Sequence, residues 1–225
     1  MNRHFLNLIF AIVATLLYII INELIGIWTI IAELLNFQEY YKYYVLIQGS
    51  IQTIIVLTFI FFIKHKTFKG LTLKTEKKWY LSALALGLSF VYIQALLKWI
   101  YNFIFDTNYY ILYDLDGLLK TWNINYLSLI IFIPIAEEMF FREYIQNKLQ
   151  KKTNNFVAII FASFLFALIH SPYLNLFFND FQQTWHLTYL TFFGGLLSGL
   201  IYYKSRSIGP SIVFHVSWNL MAQIL

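Results

Sequence analysis

The sequence contains no cysteine. Disulfides, thiolate metal sites and cysteine nucleophiles are therefore excluded together. Charge is also scarce: only 12% of the 225 residues are Asp, Glu, Lys or Arg, where a soluble domain carries about 25%. Hydrophobic residues make up 60% and aromatic residues 20%. That leaves too little polar surface for a water-facing exterior, so most of the surface is expected to face lipid. No Gly/Ser-rich linker and no internal repeat divides the chain. A net charge of +5 would suggest nucleic acid in a soluble protein. Here the basic residues lie mostly between apolar runs, which explains the charge by loop placement and implies no nucleic-acid partner.

What is abundant is long apolar sequence. About 20 apolar residues cross a bilayer. Seven stretches fit or nearly fit, at 5–34, 44–63, 80–105, 126–147, 155–171, 185–203 and 208–225. The first follows Arg3 with no small-residue cleavage site, so it is expected to be an uncleaved span. The expected architecture is all-α: a polytopic transmembrane helix bundle of about seven spans. Residues 1–110 would supply three flanking helices and residues 111–225 a four-helix core.

Sixteen Lys and Arg set the expected orientation. Arg3, Lys64, Lys66, Lys69, Lys74, Lys77, Lys78, Arg142, Lys148, Lys151, Lys152, Lys204 and Arg206 fall on one side of a seven-span arrangement. Lys42 and Lys120 fall on the other, with Asp106, Asp114, Asp116 and Asp180; Lys98 lies within a span. The N-terminus is therefore expected in the cytoplasm of a multi-pass cell-membrane protein, and the C-terminus outside. The basic stretch 64–79 is expected to lie beside anionic lipid.

Ionisable groups inside apolar segments are costly, and each one marks a candidate site. The fourth segment carries Glu137 and Glu138 near its middle, and Arg142. Two ionised carboxylates side by side in a low dielectric repel, so one must be paired or protonated. Arg142 is four residues after Glu138 and shares its helix face, so those two can pair. Glu137 points about 100° away. It is free to face a cavity, where a carboxylate can act as a general base on water. The fifth segment places Phe166 and His170 on one face, with Pro172 expected to end the helix beyond them. The seventh places His215 and Asn219 on one face, with Pro210 in its first turn. Pro134 frees backbone groups near Glu137 that need protein or water partners. Each pair has a plain structural reading as an ion pair or an interhelical hydrogen bond. In the sixth segment Gly194, Gly195, Ser198 and Gly199 form a small-residue face, read as packing. Glu23 and Lys98 have no motif partner.

Depth is the one inconsistency. Glu137 and His215 fall near the middle of their segments, whereas His170 falls near the outer end of the fifth. A shared site requires that segment to start later, or the embedded region to continue through 171–178.

The chain has no H-E-x-x-H, no Gly-x-Gly-Asp and no Gly-x-Ser-Gly. It has Glu-Glu-x-x-x-Arg, then Phe-x-x-x-His, then His-x-x-x-Asn, in that order on apolar segments. This set resembles the CAAX-protease and bacteriocin-processing family of intramembrane proteases, which includes the type II CAAX prenyl endopeptidases. The run SRSIGPSIVFHVSWN is similar to that family's last motif. The resemblance covers roughly residues 125–225, and the first three segments match no motif.

The resemblance implies an endopeptidase in which Glu137 and His170 activate water, with Glu137 as general base. Glu138 and Arg142 would hold charge and geometry. His215 and Asn219 would stabilise the oxyanion, and Phe166 would pack beside the site. Glu137 with two histidines could also form a three-ligand zinc site with water as the fourth ligand. Metal dependence stays open, with direct Glu/His activation preferred. The implied partner is a membrane-associated or lipidated polypeptide, or a bacteriocin-like peptide. Two other readings use the same residues: a non-catalytic immunity or scaffold protein of this fold, and a small proton-coupled transporter. Internal symmetry between halves would support the transporter, and none is evident.

Overall fold

The protein is described by a computed structural model that places residues 3–35, 43–63, 73–109, 123–171 and 181–224. Among the described residues there are seven helices and no strand. They are α1 (Arg3–Leu34), α2 (Tyr44–Ile63), α3 (Lys77–Phe105), the composite α4, α5 (Asn155–Leu168), α6 (Phe181–Ser205) and α7 (Ile208–Ile224). The bundle is all-α, as the apolar runs predict. Lys42, Lys120, Asp114, Asp116, Asp180, Pro172, the basic stretch 64–72 and the stretch 172–178 lie outside the described residues.

The helices divide by length and polarity. Leu6–Ile27, Tyr44–Phe62 and Lys77–Phe105 are long and apolar enough to cross a membrane. Their outward faces carry Leu16, Leu17, Leu24, Ile54, Phe62, Tyr92, Trp99 and Phe103, all exposed. Large apolar side chains at such density suit contact with acyl chains. Helix α5 has only 14 residues, about 21 Å of helix, against a hydrocarbon core of about 30 Å. It starts cleanly because the Asn154 side chain accepts the Phe156 N–H at 2.8 Å.

Helix α4 is the buried axis of the fold. It runs as α-helix at Asn125–Leu127, Ile133–Glu138 and Asn147–Gln150, with wider π-helical stretches at Ser128–Phe132 and Met139–Gln146. Every residue from Met139 to Gln146 is buried. Helices α1 and α2 clamp one side of it. Tyr18 stacks on Phe140 at 4.7 Å, and Phe59 meets Tyr144 edge-on at 5.0 Å. Tyr18 also accepts a hydrogen bond from Gln52, tying α1 to α2.

The first π stretch explains where the backbone groups freed by Pro134 go. The Ile133 amide donates to the Ser128 carbonyl, five residues back. In that register the next donor would be residue 134, a proline with no N–H. The Leu129 carbonyl is taken instead by the Asn219 amide of α7 at 2.8 Å. The Phe132 carbonyl receives the Thr53 hydroxyl of α2 at 2.9 Å. Protein groups therefore satisfy backbone that the sequence predicted would need partners.

Arg142 is a correction to the count of basic residues on one side of the seven-span arrangement. It is fully buried on α4 against Glu138, so its charge is spent in the core and not at a membrane surface. Twelve basic residues then remain on that side of the arrangement.

Helix α7 lies closely along α3, and the approach depends on Gly87. A Cβ there would collide with the Ser217 hydroxyl and the Phe214 carbonyl. The backbone carbonyl cannot turn aside as a flexible side chain could. Gly87→Val is therefore expected to destabilise the fold by about 1–3 kcal/mol through overpacking. Thermal unfolding of the detergent-solubilised variant, set against wild type, measures it; an unchanged midpoint would show that the two helices separate without cost.

Candidate active site

Three helices and one turn bring the motif residues together. Glu137 and Glu138 lie at the end of the central α-helical stretch of α4, immediately before the second π stretch. Both are buried, Glu137 at 4% exposure and Glu138 at 0%. Wide helical turns of this kind recur at functional positions because they re-aim side chains within a continuous helix.

Glu138 is the junction. Its Oε1 meets His215 Nδ1 of α7 at 3.1 Å. Its Oε2 accepts the Ser198 hydroxyl of α6 at 2.6 Å and Arg142 Nε at 3.3 Å. The short contact is the kind formed by a hydroxyl donating to a charged acceptor. Arg142 is paired with Glu138 as the i,i+4 spacing predicts. Its terminal nitrogens make no hydrogen bond, and the guanidinium lies over the Phe166 ring, 5.3 Å from its centroid. That ring supplies a cation–π contact.

Glu137 faces the other way. Its Oε1 is 3.9 Å from His170 Nε2, and its Oε2 is 3.7 Å from His215 Nε2. Both separations exceed a direct hydrogen bond. The carboxylate thus sits between two imidazoles, close enough for each to share a third polar atom with it.

The imidazoles are oriented by their other nitrogens. His170 Nδ1 is 2.9 Å from the Phe166 carbonyl. A carbonyl only accepts, so Nδ1 carries the proton, and in the neutral ring Nε2 presents a lone pair toward Glu137. His215 donates its Nδ1–H to the Glu138 carboxylate, which likewise directs Nε2 at Glu137. Two aromatic rings hold these positions. Phe166 meets His215 edge-on at 5.6 Å and His170 at 4.8 Å. Trp218 stacks on His215 at 5.3 Å, and its Nε1–H donates to Gln94 of α3 at 3.0 Å.

The depth inconsistency disappears in three dimensions. Helix α5 ends at Leu168, and residues 169–170 form a turn. The His170 side chain returns to the Phe166 carbonyl, a group near the helix end that would otherwise lack a partner. That return points the ring at Glu137. The His170 side chain is 26% exposed, against 3% for His215, so the cluster opens on the His170 side.

Asn219 is placed differently from its six motif companions. Its amide holds the Leu129 carbonyl, on the turn of α4 that leads into Glu137. Ser198, read from sequence as a packing residue, is a direct partner of Glu138. The neighbouring Gly194 does serve packing, because a Cβ there would strike the Trp218 ring. A zinc ion held at this place would take Glu137, His170 and His215 as its ligands. Among the described residues no three such groups converge as a metal site, and Glu137 turns a different oxygen to each histidine. As arranged here, the three side chains do not converge on one ion.

Comparison with known proteins bears on this same half of the chain. Residues 119–221, just under half of the sequence, match the family described as Rce1-like, type II CAAX prenyl endopeptidase. The UPF0177 protein YbdI of Lactococcus lactis subsp. lactis (strain IL1403) is 30% identical over 113 residues, which cover 48% of this chain and 52% of the relative. The chain thus spans about half the length of the curated relative it matches. No solved structure matches.

The contact between Ser198 and Glu138 can be tested through stability alone. Ser198→Ala leaves Oε2 of a fully buried carboxylate with only the longer Arg142 contact. A hydrogen bond to a charged group contributes about 1.5–3 kcal/mol, and a loss of that order is expected in thermal unfolding. Ser198→Thr, which keeps the hydroxyl, should retain most of it. Equal midpoints for wild type and the alanine variant would show that the hydroxyl contributes nothing.

Proposed function

Taking residues 119–221 as Rce1-like, we propose that this chain is an intramembrane endopeptidase that hydrolyses a peptide bond of a membrane-associated polypeptide. The observation that carries the reading is the Glu137 carboxylate between His170 Nε2 at 3.9 Å and His215 Nε2 at 3.7 Å. A structural ion pair has no use for this arrangement. Glu138 already pairs with Arg142, and Glu137 is left facing two ring nitrogens.

The chemistry follows from what each atom can hold. A water between Glu137 and the lone pair of His170 Nε2 loses a proton to the carboxylate as its oxygen attacks the peptide carbonyl carbon. The carbonyl oxygen becomes an oxyanion. His215 keeps Nδ1–H on Glu138, and with a proton on Nε2 it is a cationic donor whose charge Glu138 balances. That donor is fixed before the reaction, which is where electrostatic stabilisation of an oxyanion is most effective. Collapse of the tetrahedral intermediate breaks the C–N bond, and Glu137 returns its proton to the leaving amine. Water is consumed, and one carboxyl and one amine are formed. Asn219 acts through α4 in this scheme. One of its two amide hydrogens holds Leu129, and the other remains available to a substrate oxygen.

The substrate class that suits the site is a short or membrane-tethered polypeptide, lipidated or bacteriocin-like, that reaches the His170 side within the bilayer. The twelve basic residues on one side support an N-terminus in the cytoplasm. An alkaline phosphatase domain fused after Leu225 should be active, and one fused within 64–72 should be silent. The reverse pattern would invert the topology.

The reaction is tested by cleavage of a membrane-tethered peptide library with detergent-purified protein. Glu137→Gln and His215→Ala are expected to fold and to lose at least about a hundredfold in rate, the usual minimum contribution of a positioned proton-transfer group. Product formed equally by wild type and both variants would mean that this cluster is not the catalytic site.

A further inference from the structure

Lys98 takes no part in the site above. It lies in the last two turns of α3, which ends at Phe105, and so within about 11 Å of that end. The helix has 29 residues, a length of about 44 Å against a hydrocarbon core of about 30 Å. This end of α3 therefore reaches the membrane interface. Trp99, Tyr101, Phe103 and Phe105 gather there, as aromatic rings do at that depth. A lysine at such a position ordinarily extends its amine to water. Lys98 is instead only 7% exposed, and among the described residues no hydrogen bond or ion pair reaches it.

A second orphan stands beside it. His186 of α6 lies within electrostatic reach of Lys98, and its Nε2 is buried with no hydrogen-bond partner. Tyr109 stacks on the imidazole at 4.4 Å and Tyr101 meets it edge-on at 5.2 Å, so the ring is held in place. A buried amine and a buried ring nitrogen without acceptors are both costly. One oxyanion shared between them relieves both. The Tyr101 ring also borders a groove of about 450 Å³ between α3, α5 and α6, with Phe105, Phe164, Ala167, Trp185 and Phe192 among its walls. The groove is almost wholly apolar. Thr188 lines it too, and the Thr188 hydroxyl pairs with that of Ser171, the residue after His170.

An anion site beside an apolar groove, at interface depth, suits an amphiphile. A peptide does not suit the groove, because its backbone N–H and C=O groups would find no partners along those walls. An acyl chain needs none. We propose that Lys98 and His186 bind the phosphate of an anionic membrane phospholipid, with one acyl chain lying in the groove between α3, α5 and α6. Lys98 supplies the cation, His186 donates from Nε2, and the Tyr101 ring divides head from tail. A lipid of net negative charge is favoured over a zwitterionic one. Among the described residues no carboxylate pairs with Lys98, and a choline head would bring a second cation to it. The occupied site joins α3 to α6 beside the turn that carries His170. It does not depend on what the active site cleaves.

The test uses purified full-length protein in neutral detergent. Palmitoyl-oleoyl phosphatidylglycerol or the matched phosphatidylcholine is added, and bound lipid is counted by native mass spectrometry beside the thermal midpoint. Wild type is expected to retain phosphatidylglycerol at least about fivefold more tightly, the order expected of one basic residue acting on an anionic lipid, and to gain stability from it. Lys98→Met removes the amine and keeps the chain length. In lipid-free detergent it should unfold no earlier than wild type, because an unpaired buried charge gives way to an apolar side chain, yet it should lose the lipid preference. His186→Phe keeps a ring against Tyr109 and should weaken the preference in the same sense. Equal retention of both lipids by wild type would overturn the proposal. So would a Lys98→Met protein that still prefers phosphatidylglycerol, or one that unfolds markedly earlier without lipid, since Lys98 would then have its acceptor within the protein. A preference abolished by Lys77→Gln with Lys78→Gln, at the opposite end of α3, would mark general surface attraction and overturn it as well. An acidic peptide that displaces the lipid where glycerol phosphate does not would assign the site to a polypeptide instead. Glycerol phosphate that bound as tightly as the lipid would show that the groove contributes nothing and that the occupant is a soluble anion.

Discussion

The carboxylate of Glu138 is the constraint on which the rest of the site depends. It is completely buried, and each of its oxygens is assigned: Oε1 to His215 on α7, and Oε2 to Ser198 on α6 and Arg142 on its own helix. A charge in such a place is tolerable only when it is both paired and hydrogen-bonded. Meeting that demand forces three helices into register. Ser198 must face α4, which the small residues of α6 permit. His215 must present Nδ1 and not Nε2. Once it does, Nε2 can point only at Glu137.

The second constraint is backbone geometry in α4. A regular helix with proline at residue 134 would leave carbonyls in the core without donors. The π-helical register moves the orphaned carbonyl to Leu129, within reach of Asn219, and passes Phe132 to Thr53. The wide turns thus take hydrogen-bond donors from α2 and α7. Glu137 is aimed from outside its own helix, by Thr53 of α2 and Asn219 of α7.

Much of this was legible in the sequence wherever the relation is local. Glu138 and Arg142 are one helical turn apart, so spacing alone predicts their pairing. Phe166 and His170 likewise share a face, though the hydrogen bond is to the Phe166 carbonyl while its ring packs beside both histidines. The all-α bundle followed from apolar run length. The bond between Ser198 and Glu138 spans 60 residues; in sequence a serine within a glycine stripe signals only close packing. Asn219 reaches Leu129 across 90 residues and depends on a change of helical register that proline alone does not specify. Trp218 adjoins a motif residue, yet only the fold shows its ring stacked on His215. Arg142 also counts among the basic residues at the end of the fourth segment by position alone; its burial against Glu138 removes it from that surface.

The hydrogen bond from Trp218 to Gln94 reaches past the segment that carries every recognisable motif. Gln94 and Phe90 belong to α3, outside residues 119–221, and both touch the indole that backs the His215 imidazole. The unmatched half of the chain is therefore structurally part of the candidate site. The motif-bearing half is not a portable module: moved alone into another framework, it would keep its motif residues and lose the wall that holds one imidazole upright.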